Sequence, residues 1–306
     1  MSLTLISEDN PFQGLIADSN DDPGLLQLRY EKHRTCRNKQ QREKILAEDF
    51  SGWTLDEILM RLDGPGKEEG FLDPRNCLVI WARPPSHIRD LISFVQSELK
   101  DAAPSLWFMP PENQHITVLE VAHSLTETQI EDLIQILQSS TNITPAQILE
   151  HAIAHKTRLL KPMVSFDSAA LALSFVPAAG ECSAERSEGH NDNYTYHHLR
   201  RDIFDMVRQT NVPVASRYSV PSAHVTIARF ITHEGFLVNG THPGQLDHSR
   251  VKLLVDKIGG INEKLKSVYW PQPDGTNPEA GEWVVGQDKG LVIRRGRLWY
   301  GGGEDV

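Results

Sequence analysis

The sequence predicts an α+β protein in which antiparallel sheets carry helices packed against them. Apolar segments follow the order strand, helix, strand, strand, helix, helix, strand, strand, and then helix, strand, helix, strand, strand. This order lacks the regular alternation of a doubly wound parallel sheet. In addition, a His-x-Thr pattern heads one apolar strand in each half, HITV at 115–118 and HVTI at 224–227. Two similar lobes would bring these two strands to one cleft.

Size and composition are those of a soluble globular protein. The chain has 306 residues, with 39% hydrophobic and 24% charged residues, enough to bury a sizeable core in one large domain or two lobes. Its apolar runs are shorter than the roughly 18 residues of a membrane span, and its first residues lack the pattern of a signal peptide. We therefore expect no membrane association.

Three cysteines, Cys36, Cys77 and Cys182, lie far apart and without metal-type spacing. Free thiols predict a cytoplasmic or nuclear protein. The net charge of −10 argues against a protein that holds long nucleic acid mainly by neutralising phosphates. A few local cations are still enough to hold a small anionic substrate.

Two units are predicted along the chain. Residues 1–70 read as a polar, helical N-terminal extension, whose charged segment YEKHRTCRNKQQREKILAEDF predicts a solvated helix. Thr54 and Glu57, at capping-box spacing, predict a short helix after Thr54. Residues 71–306 form the main body, with a polar segment at 178–196 predicted to be a mobile loop. A protein partner bound through the extension remains open.

Local signals predict the elements of the main body. CLVIWARP is typical of a buried strand, and the helix after it carries one apolar face. Helices are predicted to begin at Thr126 and Thr144, each with a glutamine at capping-box spacing. Two strands, in EWVVGQ and GLVIRRGRLWY, suggest a terminal hairpin.

The His-x-Thr pattern occurs four times, at His33, His115, His155 and His224. The copies at His33 and His155 have charged neighbours and no strand signal, so we take them as chance matches. In the other two copies the intervening and following residues are apolar.

Strand periodicity separates the side chains of these two copies. Successive side chains point to opposite faces of a strand. His115 and Thr117 therefore share one face while Ile116 and Val118 share the other, and the second copy repeats the arrangement at His224 and Thr226. Each strand is predicted to bury its β-branched residues and to present histidine and threonine on its other side.

This pairing suits in-line displacement at phosphorus. One group removes a proton from the attacking oxygen, and another protonates the leaving oxygen. Histidine suits both roles because its pKa of about 6.5 makes either form accessible near neutral pH, and each role contributes roughly 10²–10⁴-fold. The threonine hydroxyls can donate to phosphate oxygens as charge builds. The arrangement requires no metal, and we predict no cofactor.

HITV and HVTI resemble the paired His-x-Thr/Ser-hydrophobic motifs of the two-histidine (2H) phosphoesterase superfamily. That group includes bacterial RNA 2′,3′-cyclic phosphodiesterases, plant cyclic phosphodiesterases and the U6 RNA 3′-end exonuclease. The resemblance covers about residues 71–300. It implies a bilobal, pseudo-twofold fold with outer helices and a metal-independent site in the central groove. It also implies that His115, Thr117, His224 and Thr226 are the catalytic residues.

One position departs from the superfamily pattern. Some bacterial members place an arginine four residues after the second histidine, on the cleft face. Here Ala228 holds that position and Arg229 follows it. By alternation Arg229 points away from the cleft unless the strand bends or bulges. Arg229 is therefore a candidate phosphate ligand, with a structural ion pair as its alternative role.

Other candidates carry weaker signals. Aromatic residues near the predicted strands could stack on a nucleobase, and Trp107 and Tyr218 are our candidates for substrate binding. His151 and His155 have a helical spacing that could chelate a metal. Ala152, however, stands where a zinc protease requires glutamate, so a surface helix is favoured and no metal site is predicted.

The sequence thus predicts a cyclic phosphodiesterase acting on a nucleoside 2′,3′-cyclic phosphate or a related small nucleotide. Which histidine is the base is left open. Alternatives are an RNA 3′-end processing phosphodiesterase with the same histidines, and a nucleotide-binding or scaffold module without catalysis. We expect a monomer.

Overall fold

A computed structural model describes residues 9–181, 191–216, 219–238, 244–288, 290–300 and 302–306. The segment 182–190 of the predicted loop, with Cys182, lies outside the described residues, as does Tyr218. The mobility predicted for 178–196 therefore stays a prediction.

Eight α-helices occur in the described ranges. They are α1 (Gln13–Asp18), α2 (Pro23–Ile45), α3 (Glu57–Leu62), α4 (Ser86–Ala102), α5 (Glu127–Ser139), α6 (Pro145–Ala154), α7 (Tyr196–Gln209) and α8 (His248–Tyr269). None of these helices combines the length and the apolar character needed to cross a lipid bilayer.

The strands of the described residues form two antiparallel sheets. They are β1 (Asn76–Ala82), β2 (Trp107–Phe108), β3 (Ile116–Leu125), β4 (Arg158–Phe166), β5 (Ala170–Pro177), β6 (Ala223–Arg229), β7 (Trp283–Val284), β8 (Leu291–Gly296) and β9 (Glu304–Asp305). The first sheet has the order β3-β1-β8-β9 and the second the order β2-β6-β5-β4-β7. The α+β prediction is confirmed, and each His-x-Thr strand belongs to a different sheet.

The predicted terminal hairpin is wrong. β7 pairs with β4 in the second sheet, whereas β8 pairs with β1 in the first. Trp283 on β7 is fully buried and packs edge-on against Phe175 of β5, with ring centroids 5.7 Å apart. Each strand thus completes a different sheet, which local sequence patterns do not reveal.

The capping signals are mostly confirmed. Thr126 and Thr144 both cap their helices, in α5 and α6, through complete capping boxes. In α3 the N-cap is Asp56, which accepts from Leu59 N, while the Thr54 hydroxyl pairs with that of Ser168. Because Asp56 lies one residue before the helix, it takes the capping role predicted for Thr54.

The N-terminal residues pack against the second sheet. α2 contacts β4 and β5, and its Leu26, Tyr30 and Arg34 are buried. Ile45 at the end of α2 joins the main hydrophobic core, as do Phe12 before the helix and Phe50 and Trp53 after it. The prediction of a solvated helix is therefore wrong for one face of α2, because tertiary contacts bury side chains that show no apolar periodicity. The domain boundary near residue 70 stays a prediction.

Candidate active site

The two His-x-Thr segments meet at a cleft between the sheets. β3 and β6 contact each other across this junction. A cleft is lined by His115 and Thr117 from one side and by His224 and Thr226 from the other. The four residues singled out in the sequence therefore face one space.

Burial along the two strands agrees with the predicted alternation. Ile116 and Val118 are no more than 1% exposed, and Val225 is fully buried. The histidine and threonine of each motif are only partly buried. Each strand is thus anchored in its core by β-branched side chains, which fixes the direction of the cleft-facing residues.

His115 is held by a backbone acceptor and an aromatic ring. Its Nδ1 lies 2.7 Å from the carbonyl oxygen of Asn113. Since a carbonyl oxygen only accepts, Nδ1 carries the proton, and the neutral ring has its lone pair on Nε2. The ring stacks on Trp81, with centroids 3.6 Å apart and planes inclined by 14°. These contacts fix the orientation of a nitrogen suited to accept or donate a proton.

His224 is held by a hydroxyl group. Ser222 Oγ lies 2.9 Å from Nδ1 of His224. Ser222 also lines the cleft and lies just before β6, so the strand start positions both residues. Nε2 is the ring nitrogen not engaged with Ser222.

Both histidines are neutral at pH 7 in the free protein. Burial lowers the pKa of His115 to about 3; the Asn113 carbonyl opposes the shift, and Arg83 adds to it. Burial also lowers the pKa of His224 to about 4, with further lowering by the positive charges of Arg200 and Arg229. A bound phosphate would oppose these causes, because negative charge favours protonated histidine.

A β-bulge directs Arg229 into the cleft. In the pairing of β6 with β5, Thr226 faces Ala172 and Ala228 faces the adjacent Leu171, so Ile227 is an extra residue in β6. The extra residue reverses the alternation after Thr226. Arg229 therefore lines the cleft with His224. It also forms an ion pair with Asp56 at 3.3 Å; its role as a phosphate ligand stays a prediction.

The first motif contains a matching bulge. In the pairing of β3 with β1, Thr117 faces Trp81 and Leu119 faces Ile80, which leaves Val118 as the extra residue. As a result Glu120, only 4% exposed, also lines the cleft. Sequence alternation alone assigns Glu120 to the opposite face, so it was missed.

Arg200 of α7 was also missed, because a single arginine on a charged helix gives no signal. Its side chain is 1% exposed and lines the cleft. Nε donates to Val118 O at 3.1 Å and Nη1 donates to Val220 O at 2.9 Å. Arg200 thus joins the strand of the first motif to the segment that precedes the second.

Of the aromatic candidates, Trp107 is not brought to the cleft. Its side chain packs in a separate cluster with Leu59, Met109 and Ile231, and its Nε1 donates to Asp63 at 2.9 Å. Tyr218 lies outside the described residues. Trp299, an aromatic residue that was not chosen as a candidate, lines the cleft instead.

The helical pair His151 and His155 lies in α6 and at its C-terminal cap. Their rings stack with centroids 4.2 Å apart, and His151 Nε2 bonds to the Tyr194 hydroxyl at 3.0 Å. Neither residue lines the cleft. Within the described residues, no group of three or more His, Cys, Asp or Glu side chains is placed to hold a metal ion.

Comparisons with known proteins give structural neighbours only. No family model and no curated protein matches the sequence. A conserved protein of unknown function from Agrobacterium tumefaciens is similar in structure, with 12% identity and a TM-score of 0.44, over 82% of this chain and 98% of that chain. Usb1 from Kluyveromyces marxianus has 9% identity and a TM-score of 0.36, over 76% of this chain and 98% of that chain. Because both TM-scores are below 0.5, we infer function from the residues of the cleft.

Proposed function

We propose that the protein is a metal-independent phosphodiesterase that hydrolyses a nucleoside 2′,3′-cyclic phosphate or a related small nucleotide. The observation that carries the proposal is the convergence of two His-Thr pairs, from different sheets, on one cleft. Proton transfer at two opposed oxygens needs two groups on opposite sides of a phosphorus atom. The cleft offers one histidine from each sheet.

The reaction balances with these two groups. One histidine, in its neutral form, takes a proton from the attacking water as the new P–O bond forms. The other, protonated, gives a proton to the ribose oxygen as the cyclic ester bond breaks. The product is a 2′- or 3′-monophosphate, and proton exchange with solvent restores both histidines.

Hydrogen-bond donors support the charge that develops on phosphorus. The hydroxyls of Thr117 and Thr226 lie on the cleft faces of their strands and would donate to non-bridging oxygens. Arg229 adds a fixed positive charge that matches a phosphate. His115, with its proton on Nδ1, presents Nε2 for the transfer.

The test is turnover in excess EDTA of the four nucleoside 2′,3′-cyclic phosphates, with products resolved by phosphorus NMR. His115→Ala and His224→Ala are each expected to lower the rate by about 10²-fold or more. His155→Ala is the matched control, because His155 lies in the same sequence pattern but outside the cleft. The isomer formed, 2′- or 3′-monophosphate, assigns base and acid.

Other outcomes point to the alternatives. Turnover that survives both cleft substitutions would rule out the two-histidine mechanism. Nucleotide binding without turnover would favour a non-catalytic module. An RNA 3′-end processing enzyme remains the second candidate, because the cleft continues beyond His224 along basic residues of α2. Hydrolysis of oligonucleotide ends but not of mononucleotides would favour it.

A further inference from the structure

A second groove opens from the cleft on the His224 side. It shares His224, Thr226, Arg229 and Trp299 with the cleft. Its far wall is α2, which contributes His33, Arg34, Arg37 and Asn38. The N-terminal helix therefore lies on the same face of the second sheet as the second motif.

Small side chains on β5 leave this groove open. Ala172 and Ser174 face Thr226 and His224 in register, and both line the groove. In the other half of the cleft, the corresponding neighbour of Thr117 is the large ring of Trp81. Beside the second motif the cleft therefore extends toward α2. Beside the first motif the Trp81 ring fills the equivalent space.

Arg34 forms the buried part of the wall. Its side chain is 5% exposed, and Nη1 donates to Lys161 O at 2.6 Å and to Ser174 O at 3.2 Å. Nε and Nη2 are buried without a hydrogen-bond partner among the described residues. Unused donors on a buried guanidinium are costly, and an anion is the partner that satisfies them best.

The charges around the groove also favour an anion. Arg37 is about half exposed and pairs with Asp167, the carboxylate that lines the groove, at 3.0 Å. Arg37 is close enough to His224 for its positive charge to contribute to the low pKa of that histidine. The groove lining thus contains three arginines, Arg34, Arg37 and Arg229, and one carboxylate, in a chain whose net charge is −10.

We propose that this groove binds a phosphate on the 5′-oxygen of the nucleoside whose cyclic phosphate lies between His115 and His224. The inference rests on the proposed function, because a cyclic phosphate at the histidines fixes where the ribose lies. On a nucleoside 2′,3′-cyclic phosphate, the 5′-hydroxyl is the remaining ribose position for a second phosphate. A 5′-phosphorylated mononucleotide and the 3′-end of an RNA both present this group.

Binding of product analogues tests the groove without turnover. Isothermal titration calorimetry would compare adenosine 3′,5′-bisphosphate with adenosine 3′-monophosphate. The bisphosphate is expected to bind about tenfold more tightly or better, since hydrogen bonds to charged groups are the strong ones. Arg37→Gln should reduce this gain several-fold. Equal affinities for the two ligands, or a gain that Arg37→Gln leaves unchanged, would overturn the proposal.

Two further variants complete the binding test. Arg42→Gln is the matched control, because Arg42 also lies on α2 and pairs with an aspartate, Asp256, but does not line the groove. It should leave the gain intact. Arg34→Gln should reduce the affinity gain of the bisphosphate more than Arg37→Gln does. Because Arg34 also donates hydrogen bonds to β4 and β5, thermal melting would be recorded for this variant. If Arg34→Gln unfolds, Arg37→Gln decides.

Turnover measurements distinguish a mononucleotide from an RNA end as the source of the 5′-phosphate. They also separate the proposed groove from the proposed reaction. Wild-type kcat/KM would be compared for adenosine 2′,3′-cyclic phosphate, its 5′-phosphorylated form and the dinucleotide ApA ending in a cyclic phosphate. A higher kcat/KM for both modified substrates would identify an RNA 3′-end as the source of the phosphate. A higher kcat/KM for the 5′-phosphorylated mononucleotide alone would identify a mononucleotide. Turnover with no gain overturns the groove but keeps the reaction. Tight bisphosphate binding with no turnover keeps the groove and overturns the reaction.

Discussion

Glu120 and Arg229 occupy equivalent positions in the two halves of the cleft, each five residues after a motif histidine. A bulge at Val118 turns Glu120 toward the cleft, and a bulge at Ile227 does the same for Arg229. The two lobes thus share a backbone plan but place opposite charges at the same point. The phosphate is expected to lie closer to the Arg229 side.

Replacing Arg229 tests this polarity. Arg229→Gln is expected to lower kcat/KM by about 10- to 100-fold, because a hydrogen bond to a charged group contributes about 1.5–3 kcal/mol. Arg229→Lys should recover only part of the loss, since lysine cannot form the bidentate contact. Steady-state kinetics on a nucleoside 2′,3′-cyclic phosphate would measure both. Arg61→Gln removes an exposed ion pair with Glu68, away from the cleft, and should change little. An unchanged rate in Arg229→Gln would assign Arg229 to the Asp56 ion pair alone.

The pH dependence follows from the two low pKa values. In the free protein the active form needs one histidine protonated, and the pKa values of about 3 and about 4 make that form scarce at neutral pH. We expect kcat/KM to fall about tenfold per unit above pH 4, while the kcat profile shifts to higher pH because bound phosphate raises the histidine pKa. Uridine 2′,3′-cyclic phosphate would be assayed from pH 4 to pH 8. A kcat/KM that rises toward pH 7 would contradict this account.

His197 links protein stability to pH. It is fully buried, accepts from the Tyr30 hydroxyl at Nδ1 (2.8 Å) and donates to Phe12 O from Nε2 (3.0 Å). Burial, with the charge of Arg200, lowers its pKa to about 3. Below about pH 6.5 His197 is therefore protonated in the unfolded chain but still neutral in the folded chain. The free energy of unfolding falls as the pH falls. We expect a contribution of about 2 kcal/mol lost between pH 8 and pH 5.

Urea unfolding at pH 8 and pH 5 would measure this loss. In His197→Gln the difference between the two pH values should shrink by about the same 2 kcal/mol. His155→Gln, on the exposed surface, should leave the difference unchanged. An identical pH dependence in wild type and His197→Gln would show that other groups cause the acid sensitivity.

The packing of the N-terminal residues predicts that they unfold together with the main body. Trp53 stacks on Phe230, the residue that follows β6, with centroids 4.0 Å apart and planes 5° from parallel. Trp53→Ala should lower the free energy of unfolding by about 3–5 kcal/mol. Leu28→Ala on α2, where Leu28 is 57% exposed, should change it by less than about 0.5 kcal/mol. Chemical denaturation measures both, and a small effect at Trp53 would favour an independent extension.

Local signals in the sequence were enough for the helix caps, the main strands and the face on which His115 and His224 lie. Each of these depends on residues that are near neighbours in the chain. Three features could not be predicted from the sequence: the pairing of β7 and β8 with different sheets, the packing of α2 over the second sheet, and the orientation of Glu120 toward the cleft. All three depend on contacts between distant segments, such as Arg34 with Ser174, which no local period encodes.

The bulge at Ile227 has a bearing on how this strand tolerates changes in length. A regular strand with Arg four residues after the histidine and a bulged strand with Arg five residues after it present the same side chain to the cleft. Deleting Ile227 along with its bulge would therefore keep the guanidinium in place, whereas inserting one residue into a straight strand would turn every later side chain around. The spacing between histidine and arginine is free to drift by one residue, provided that the backbone absorbs the difference.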